Sequence, residues 1–185
     1  MSDWDRTFLG MRMQQSVGIV LALNSLFEML KPRRIIELGT GYGGLTVCLG
    51  IWGYTHLIPV YSFDATPRHW SLGTMLAVLG VRLIREDIFG YEEAIARLVQ
   101  RHGITLLLCD NGDKKREVNT FAPYLKMGDT IMLHDYSADG SVSHEVEYAD
   151  IQATCVRCGL VPIMPEEFRP FNWGVFRKDG KSDEG

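Results

Sequence analysis

The chain has 185 residues, 46% of them hydrophobic and 23% charged, a composition that suits one globular domain and argues against two. Its formal net charge of −4, with no basic run longer than residues 114–116, excludes a protein that binds nucleic acid by neutralising phosphates. Four cysteines are too few for a disulfide framework, so we expect free thiols and a reducing, cytoplasmic location.

The first predicted element is a helix over residues 16–30. Its apolar residues Ile19, Leu23 and Leu26 recur at helical spacing. Polar residues such as Glu28 interrupt the apolar run, and no small-residue cleavage site follows it. The segment therefore predicts a helix that faces the core, and we expect no membrane partner.

Short β-rich runs and longer helical runs alternate after Pro32, which predicts βαβ units and a parallel sheet. The predicted strands are residues 34–38, 57–63, 82–85, 105–109, 130–133 and 173–177. The predicted helices are residues 44–52, 68–79, 91–102, 116–125 and 143–158. Residues 1–177 are expected to form a single domain, and the polar tail 178–185 is expected to be disordered.

Acidic residues lie at the carboxyl ends of five successive predicted strands. In chain order these positions are Glu37, Asp64, Asp87, Asp110 and the pair His134-Asp135. Open parallel sheets bind ligands outside these strand ends, so we expect one acid-lined crevice. Helix capping by aspartate is the alternative, but five acids in succession arise by chance on the order of once in two hundred chains.

A glycine turn follows the first strand. Gly39, Gly41 and Gly44 have the spacing of a dinucleotide-binding turn, where glycines allow close approach of a ligand to backbone N–H groups. A carboxylate at Glu37 would repel the pyrophosphate of a dinucleotide, yet it could help to hold the cationic methionine end of S-adenosylmethionine. The turn therefore favours S-adenosylmethionine over NAD.

Two further acids suit the nucleoside part of this cofactor. Asp64 is placed to accept hydrogen bonds from both ribose hydroxyls, a role that NAD enzymes share. Asp87 stands where an acid could accept a hydrogen bond from the adenine amino group, for which a nicotinamide enzyme has no obvious use.

Residues 35–44 resemble motif I of class I S-adenosylmethionine-dependent methyltransferases. Residues 7–11, with the following helix and Lys31-Pro32, are similar to the opening of the cephalosporin hydroxylase-like group, which is related to metal-dependent O-methyltransferases. Further segments resemble the metal region and the last strand of that group: residues 110–113, 121–128, 131–136 and 172–177.

The resemblance implies an α/β fold with a doubly wound, mostly parallel, seven-stranded sheet of the Rossmann-like type, in which the last strand is antiparallel. It implies S-adenosylmethionine bound by Glu37, Gly39, Thr40, Gly41, Gly43, Asp64 and Asp87. It also implies Mg²⁺ or another divalent cation bound by Asp110, His134 and Asp135. The chain departs from the group at His134, where an acid is usual, and at Asp113 and Lys114, where a histidine often follows the first metal-site aspartate.

The predicted activity is methylation of a hydroxyl on a small molecule, with Asp110 and Lys114 as catalytic residues. Lys114 or Lys115 would act as the general base, its pKa lowered by burial. Trp4, Phe8, Met11, Met13 and residues 165–171 are expected to form a lid that favours an apolar or ring-bearing acceptor. The oligomeric state is open, with a homodimer as one option.

Two other functions stay open at this point. The first is a non-catalytic, nucleoside-binding module of the same fold with a decayed acceptor site, which the histidine at position 134 motivates. The second is an NAD-dependent reductase, which the shared glycine spacing motivates.

Overall fold

A computed structural model describes residues 6–66, 72–138 and 145–180. In chain order its helices and strands are β1 (Arg6–Phe8), β2 (Met11–Met13), α1 (Ile19–Leu30), β3 (Arg34–Leu38), α2 (Gly44–His56), β4 (Val60–Phe63), α3 (Leu72–Val78), β5 (Arg82–Ile84), α4 (Glu92–Val99), β6 (Thr105–Cys109), α5 (Lys114–Phe121), β7 (Thr130–Leu133), β8 (Tyr136–Ser137), β9 (Val146–Glu147), α6 (Tyr148–Cys158), β10 (Leu160–Pro162), α7 (Pro165–Phe168) and β11 (Gly174–Lys178).

Seven of these strands form one sheet in the order β10-β11-β7-β6-β3-β4-β5. The five strands β3 to β7 pair in parallel, whereas β11 pairs antiparallel to β7 and β10 antiparallel to β11. The prediction of a mostly parallel, doubly wound sheet with an antiparallel last strand is confirmed.

Both faces of the sheet are covered, which is why its central strands are continuous apolar runs. In β3, Ile36 and Leu38 face the core cluster that α4, α5 and α6 cover. Ile35 faces the opposite cluster, which α1, α2 and α3 cover. Alternate side chains of a strand point to opposite faces, so every position of β3 is buried.

The centre of the sheet contains the topological switch point. From β3 the chain winds outward to β4 and β5, and it then returns to β6 on the other side of β3. The Asp110 amide donates to Leu38 O at 2.8 Å and the Gly39 amide donates to Phe63 O at 2.8 Å. The carboxyl ends of β3, β4 and β6 therefore meet where open α/β sheets bind ligands.

Several predicted boundaries are wrong. The strand predicted over 57–63 begins at Val60, because Leu57 ends α2 in the left-handed conformation. The helix predicted over 143–158 begins at Tyr148, after β9, where Glu147 and Asp150 form a capping box. The antiparallel hairpin of β1 and β2 was not predicted.

The predicted disordered tail is wrong at its first residues. Lys178 is the last residue of β11, and the amides of Asp179 and Gly180 both donate to Gly159 O at 3.1 Å. Residues 181–185 lie outside the described part of the chain, as do 67–71 of the helix predicted over 68–79.

The four cysteines are buried and free, as expected from composition. None of the helices in the described residues has both the length and the apolar character needed to span a membrane.

Candidate functional site

The turn from β3 into α2 has a left-handed backbone at three glycines. The φ angles are 99° at Gly39, 51° at Gly41 and 85° at Gly43. A Cβ on Gly39 would lie 2.2 Å from Asp110 O, and one on Gly43 would lie 2.2 Å from the Leu72 side chain. These two glycines allow close packing within the protein, and a Cβ on Gly41 would lie 3.1 Å from Gln14 Oε1.

Glu37 lies beneath this turn and is 1% exposed. Its Oε2 accepts hydrogen bonds from Thr46 Oγ1 at 2.6 Å and Ser62 Oγ at 2.5 Å. Thr40 Oγ1 lies 2.6 Å from Ser62 Oγ and donates to it, because the Ser62 proton is already directed at Glu37. Burial raises the pKa of the Glu37 carboxyl to about 8, although the Ser62 and Thr46 hydroxyls act in the opposite direction.

The predicted cofactor residues Glu37, Gly39, Thr40, Gly41 and Gly43 border a narrow cavity of about 30 Å³. β2 and the two residues that follow it form its other wall. A Cβ on Gly44 would lie 2.5 Å from Arg12 O, so β2 passes directly over the start of α2. Glu37 is therefore linked to the turn by buried hydrogen bonds that run through Ser62 to Thr40.

Asp64, at the end of β4, connects its strand to the glycine turn. Its Oδ2 accepts from the Gly41 amide and its Oδ1 from the Thr66 amide, each at 2.8 Å. The side chain borders the larger cleft beside Gly39 and Gly41. Each carboxylate oxygen can accept a second hydrogen bond, so Asp64 retains acceptor capacity towards that cleft.

Asp87, predicted to contact adenine, is exposed, and its Oδ1 accepts from the Phe89 amide at 3.2 Å. It is not among the residues that line the two cavities at the glycine turn. Its adenine role stays a prediction.

The larger cleft, of about 380 Å³, has the volume of a small-molecule site. Among the described residues its wall is polar throughout and contains four carboxylates. The lining residues are Gln14, Gln15, Gly39, Gly41, Asp64, Thr66, Asp110, Asn111, Gly112, Lys114, His134, Asp135 and Glu145. The cleft thus brings together the acids that follow β4, β6 and β7.

The three predicted metal ligands form a cluster in this cleft. Asp110, His134 and Asp135 each offer one ligand atom within 4.8 Å of the others. His134 Nδ1 lies 3.2 Å from Asp110 Oδ1 and 3.3 Å from Asp135 Oδ2. Burial lowers the pKa of His134, but hydrogen bonds to the two carboxylates outweigh it and raise the pKa to about 9. Because a metal ligand must be a neutral imidazole, cation binding at Nδ1 would release this proton.

The structure does not support Lys114 as a base with a lowered pKa. Lys114 is 6% exposed, and its Nζ lies 2.7 Å from Glu145 Oε2, 3.0 Å from Asp135 Oδ2 and 4.0 Å from Asp110 Oδ1. Burial alone would lower its pKa, but the hydrogen bonds to Glu145 and Asp135 raise it above the ordinary value. Lys114 is a charged partner of the carboxylates.

Three of the residues expected to form an apolar lid belong to the core instead, Phe8 is half-buried, and Trp4 lies outside the described residues. Met11 and Met13 are 4% and 1% exposed, and Phe168 is fully buried. All three pack in the cluster on the α1 and α2 face of the sheet. The apolar character of these segments therefore gives no information on the acceptor.

Glu117 and Gln15 are among the residues at the site that sequence reasoning missed. Glu117 is fully buried and accepts hydrogen bonds from the amides of Asn111 and Asp113, each at 3.2 Å, so it holds the loop that follows Asp110. Burial raises its pKa to about 8. Glu117 lies four residues before the apolar Phe121, so both residues are on the same face of α5. This spacing could have marked Glu117 as a buried residue. Gln15, in a loop, gave none.

Comparison with solved structures identifies the fold. The chain is similar to CmcI-N160 in its apo form (TM-score 0.67, 16% identity, 98% of this chain and 79% of that chain covered) and with SAH (0.64, 17%, 96% and 84%). It is also similar to CalS11, a calicheamicin methyltransferase (0.62, 14%, 86% and 78%), and to a methyltransferase-like protein from Silicibacter pomeroyi (0.58, 17%, 93% and 90%). The chain has the class I methyltransferase fold. No protein-family model and no curated protein sequence matches it.

Proposed function

We propose that this protein is an S-adenosylmethionine-dependent methyltransferase that methylates a hydroxyl of a small, polar molecule. The observation that carries the proposal is the position of the glycine turn and Asp64 on a polar cleft at the switch point of the sheet. The similar CmcI structures, described with SAH and with Mg-SAM, support the same cofactor here.

The cofactor is proposed to lie along the turn, with its ribose hydroxyls on Asp64 and its methionine end over Gly39 and Gly41. Asp64 can accept because its two backbone donors leave further lone pairs free. The buried Glu37 network supports the turn from below. The sulfonium would then face the end of the cleft that contains Asp110.

The acceptor is proposed to be hydroxyl-rich rather than flat and apolar. The described wall around Asp110 includes Gln15, Asn111, Gly112, Lys114, His134, Asp135 and Glu145. An apolar ring placed against these groups would remove them from water without replacing their hydrogen bonds, which costs free energy. Hydroxyl groups can replace those bonds.

A divalent cation is proposed to assist the reaction, because two carboxylates and an imidazole converge within ligand distance. Asp110, Asp135 and His134 would hold it, and when bound it would lower the pKa of the acceptor hydroxyl and fix its direction. Hard oxygen ligands suit Mg²⁺, while the imidazole shifts the preference towards Mn²⁺, Fe²⁺ or Zn²⁺. The Lys114 ammonium balances carboxylate charge beside this cluster.

Calorimetric titration with S-adenosylhomocysteine tests the cofactor assignment. We expect binding by the wild type and a loss of at least about 100-fold in affinity for Asp64→Ala, because two hydrogen bonds to a charged acceptor contribute about 1.5 to 3 kcal/mol each. Asp64→Asn keeps one acceptor oxygen and should show a smaller loss. Glu93→Ala, an exposed acid on α4, is the control.

NADH titration is the competing arm, since a reductase would bind it and a methyltransferase would not. Binding of NADH without S-adenosylhomocysteine would refute the proposal. Methyl transfer is then measured on matched hydroxyl-rich and catechol-type acceptors, with and without Mn²⁺. Cofactor binding without transfer to any of them would favour the non-catalytic module.

A further inference from the structure

Gln15 is a buried amide in the segment that follows β2. It is 5% exposed, and its Nε2 donates to Asp110 Oδ2 at 2.7 Å. This contact joins residues 95 positions apart in the chain. A hydrogen bond to a charged acceptor is roughly twice as strong as one between neutral groups, so the contact constrains both side chains.

The contact determines which oxygen of Asp110 faces the metal cluster. The Asp110 amide donates to Leu38 O, so its backbone is already fixed and only the carboxylate can rotate. Oδ2 is held by Gln15, whereas Oδ1 faces His134 Nδ1 at 3.2 Å and Lys114 Nζ at 4.0 Å. Without the Gln15 amide, no hydrogen bond from the segment after β2 would favour one orientation of the Asp110 carboxylate over the other.

The backbone next to Gln15 is held in position by packing against α2. Met13, two residues earlier, is 1% exposed and packs on the start of α2, where a Cβ on Gly44 would lie 2.7 Å from Met13 Cβ. Gln15 borders both the narrow cavity at the glycine turn and the larger cleft, as do Gly39 and Asp110. It therefore forms part of the wall between the proposed cofactor and the cluster.

We propose that Gln15 is a positioning residue, which orients Asp110 so that one defined oxygen is presented to a divalent cation. This inference rests on the proposed metal-assisted function. Partners that orient ligating carboxylates from outside the ligand set typically contribute about 10- to 100-fold to metal affinity. Gln15 would supply this from the loop after the hairpin of β1 and β2 rather than from the sheet that provides the ligands.

The test measures Mn²⁺ binding by electron paramagnetic resonance of the free ion. Gln15→Met keeps the length of the side chain but removes the amide. We expect the Kd for Mn²⁺ to rise about 10- to 100-fold. Gln15→Asn retains the donor on a shorter side chain and should fall between wild type and Gln15→Met. Gln152→Leu, which changes an exposed glutamine on α6, is the control and should bind Mn²⁺ as the wild type does.

Binding of S-adenosylhomocysteine and the melting temperature separate positioning from folding. Gln15→Met should lower the affinity for S-adenosylhomocysteine clearly less than the affinity for Mn²⁺, since its hydrogen bond goes to Asp110 although its side chain also borders the narrow cavity. Wild-type Mn²⁺ affinity in Gln15→Met, or no Mn²⁺ binding by the wild type, overturns the inference. A joint loss of Mn²⁺ binding, S-adenosylhomocysteine binding and melting temperature also overturns it. A failure of the proposed function gives a different result: the wild type then does not bind S-adenosylhomocysteine, whatever the order of Mn²⁺ affinities among wild type, Gln15→Asn and Gln15→Met.

Discussion

Glu37→Gln should change how the stability of the fold depends on pH. The Glu37 carboxyl is almost completely buried, and burial raises its pKa from 4.5 to about 8. Between these two values the folded chain holds a proton that the unfolded chain has lost. The free energy of unfolding therefore falls as pH rises through this window, and the contribution is complete only below pH 4.5.

The size of this change in the free energy of unfolding follows from the difference in bound protons between the folded and unfolded chains. Each pH unit inside the window costs about 1.4 kcal/mol, and the slope flattens as the folded group titrates, so the wild type loses about 2 kcal/mol from pH 6 to pH 8 through this residue. Glutamine carries no proton to lose, yet its oxygen can still accept from Thr46 and Ser62. The stability of Glu37→Gln relative to wild type should therefore rise by about the same amount over this range.

Urea unfolding followed by tryptophan fluorescence at several pH values provides the measurement. Glu117, whose pKa is also about 8, and every other titrating group are common to both proteins and cancel in the difference. A difference between the two proteins that stays constant from pH 6 to pH 8 would contradict the claim that Glu37 is protonated in the folded state at pH 6.

Three further substitutions, with Gly80→Ala as a control, test buried contacts of the fold by urea unfolding. Gly39→Ala should cost about 3 to 5 kcal/mol, because its Cβ would meet Asp110 O at 2.2 Å at a positive φ, whereas Gly80→Ala, also at positive φ but with open space, should cost only about 1 to 2. Asp129→Ala should cost about 3 to 5 kcal/mol, since this buried acid accepts from the Thr105 and Lys126 amides and from Lys126 Nζ. Glu117→Ala should cost about 1 to 3 kcal/mol, because it removes the oxygen that accepts from the Asn111 and Asp113 amides. Losses below about 0.5 kcal/mol would refute these assignments.

The parts of the fold that follow from local pattern could be predicted. The apolar run of β3, the glycines after it and the acid after β4 are each encoded within a few residues, and the rule on strand ends brings Asp64 and Asp110 to one cleft. The boundaries of the helices and strands depend on backbone conformations that the sequence pattern does not show. Leu57 adopts a left-handed conformation that a β-rich pattern does not reveal.

The parts of the site that depend on distant contacts could not be predicted. The ionisation of Lys114 is set by Asp135 and Glu145, which other segments bring to it, so burial alone gave the wrong direction for its pKa. Gln15 contacts Asp110 across 95 positions, and nothing in its own neighbourhood marks it. Met13 resembles a lid residue by composition, yet it is part of the core.

The most direct test of the central claim is a crystal structure with S-adenosylhomocysteine bound. We expect both ribose hydroxyls within hydrogen-bond distance of the Asp64 carboxylate and the homocysteine part along Gly39 and Gly41, with its sulfur facing Asp110. A ligand bound elsewhere on the molecule would contradict the account. So would a structure at saturating ligand in which β2 and the residues after it still lie over the glycine turn and leave the cofactor no room.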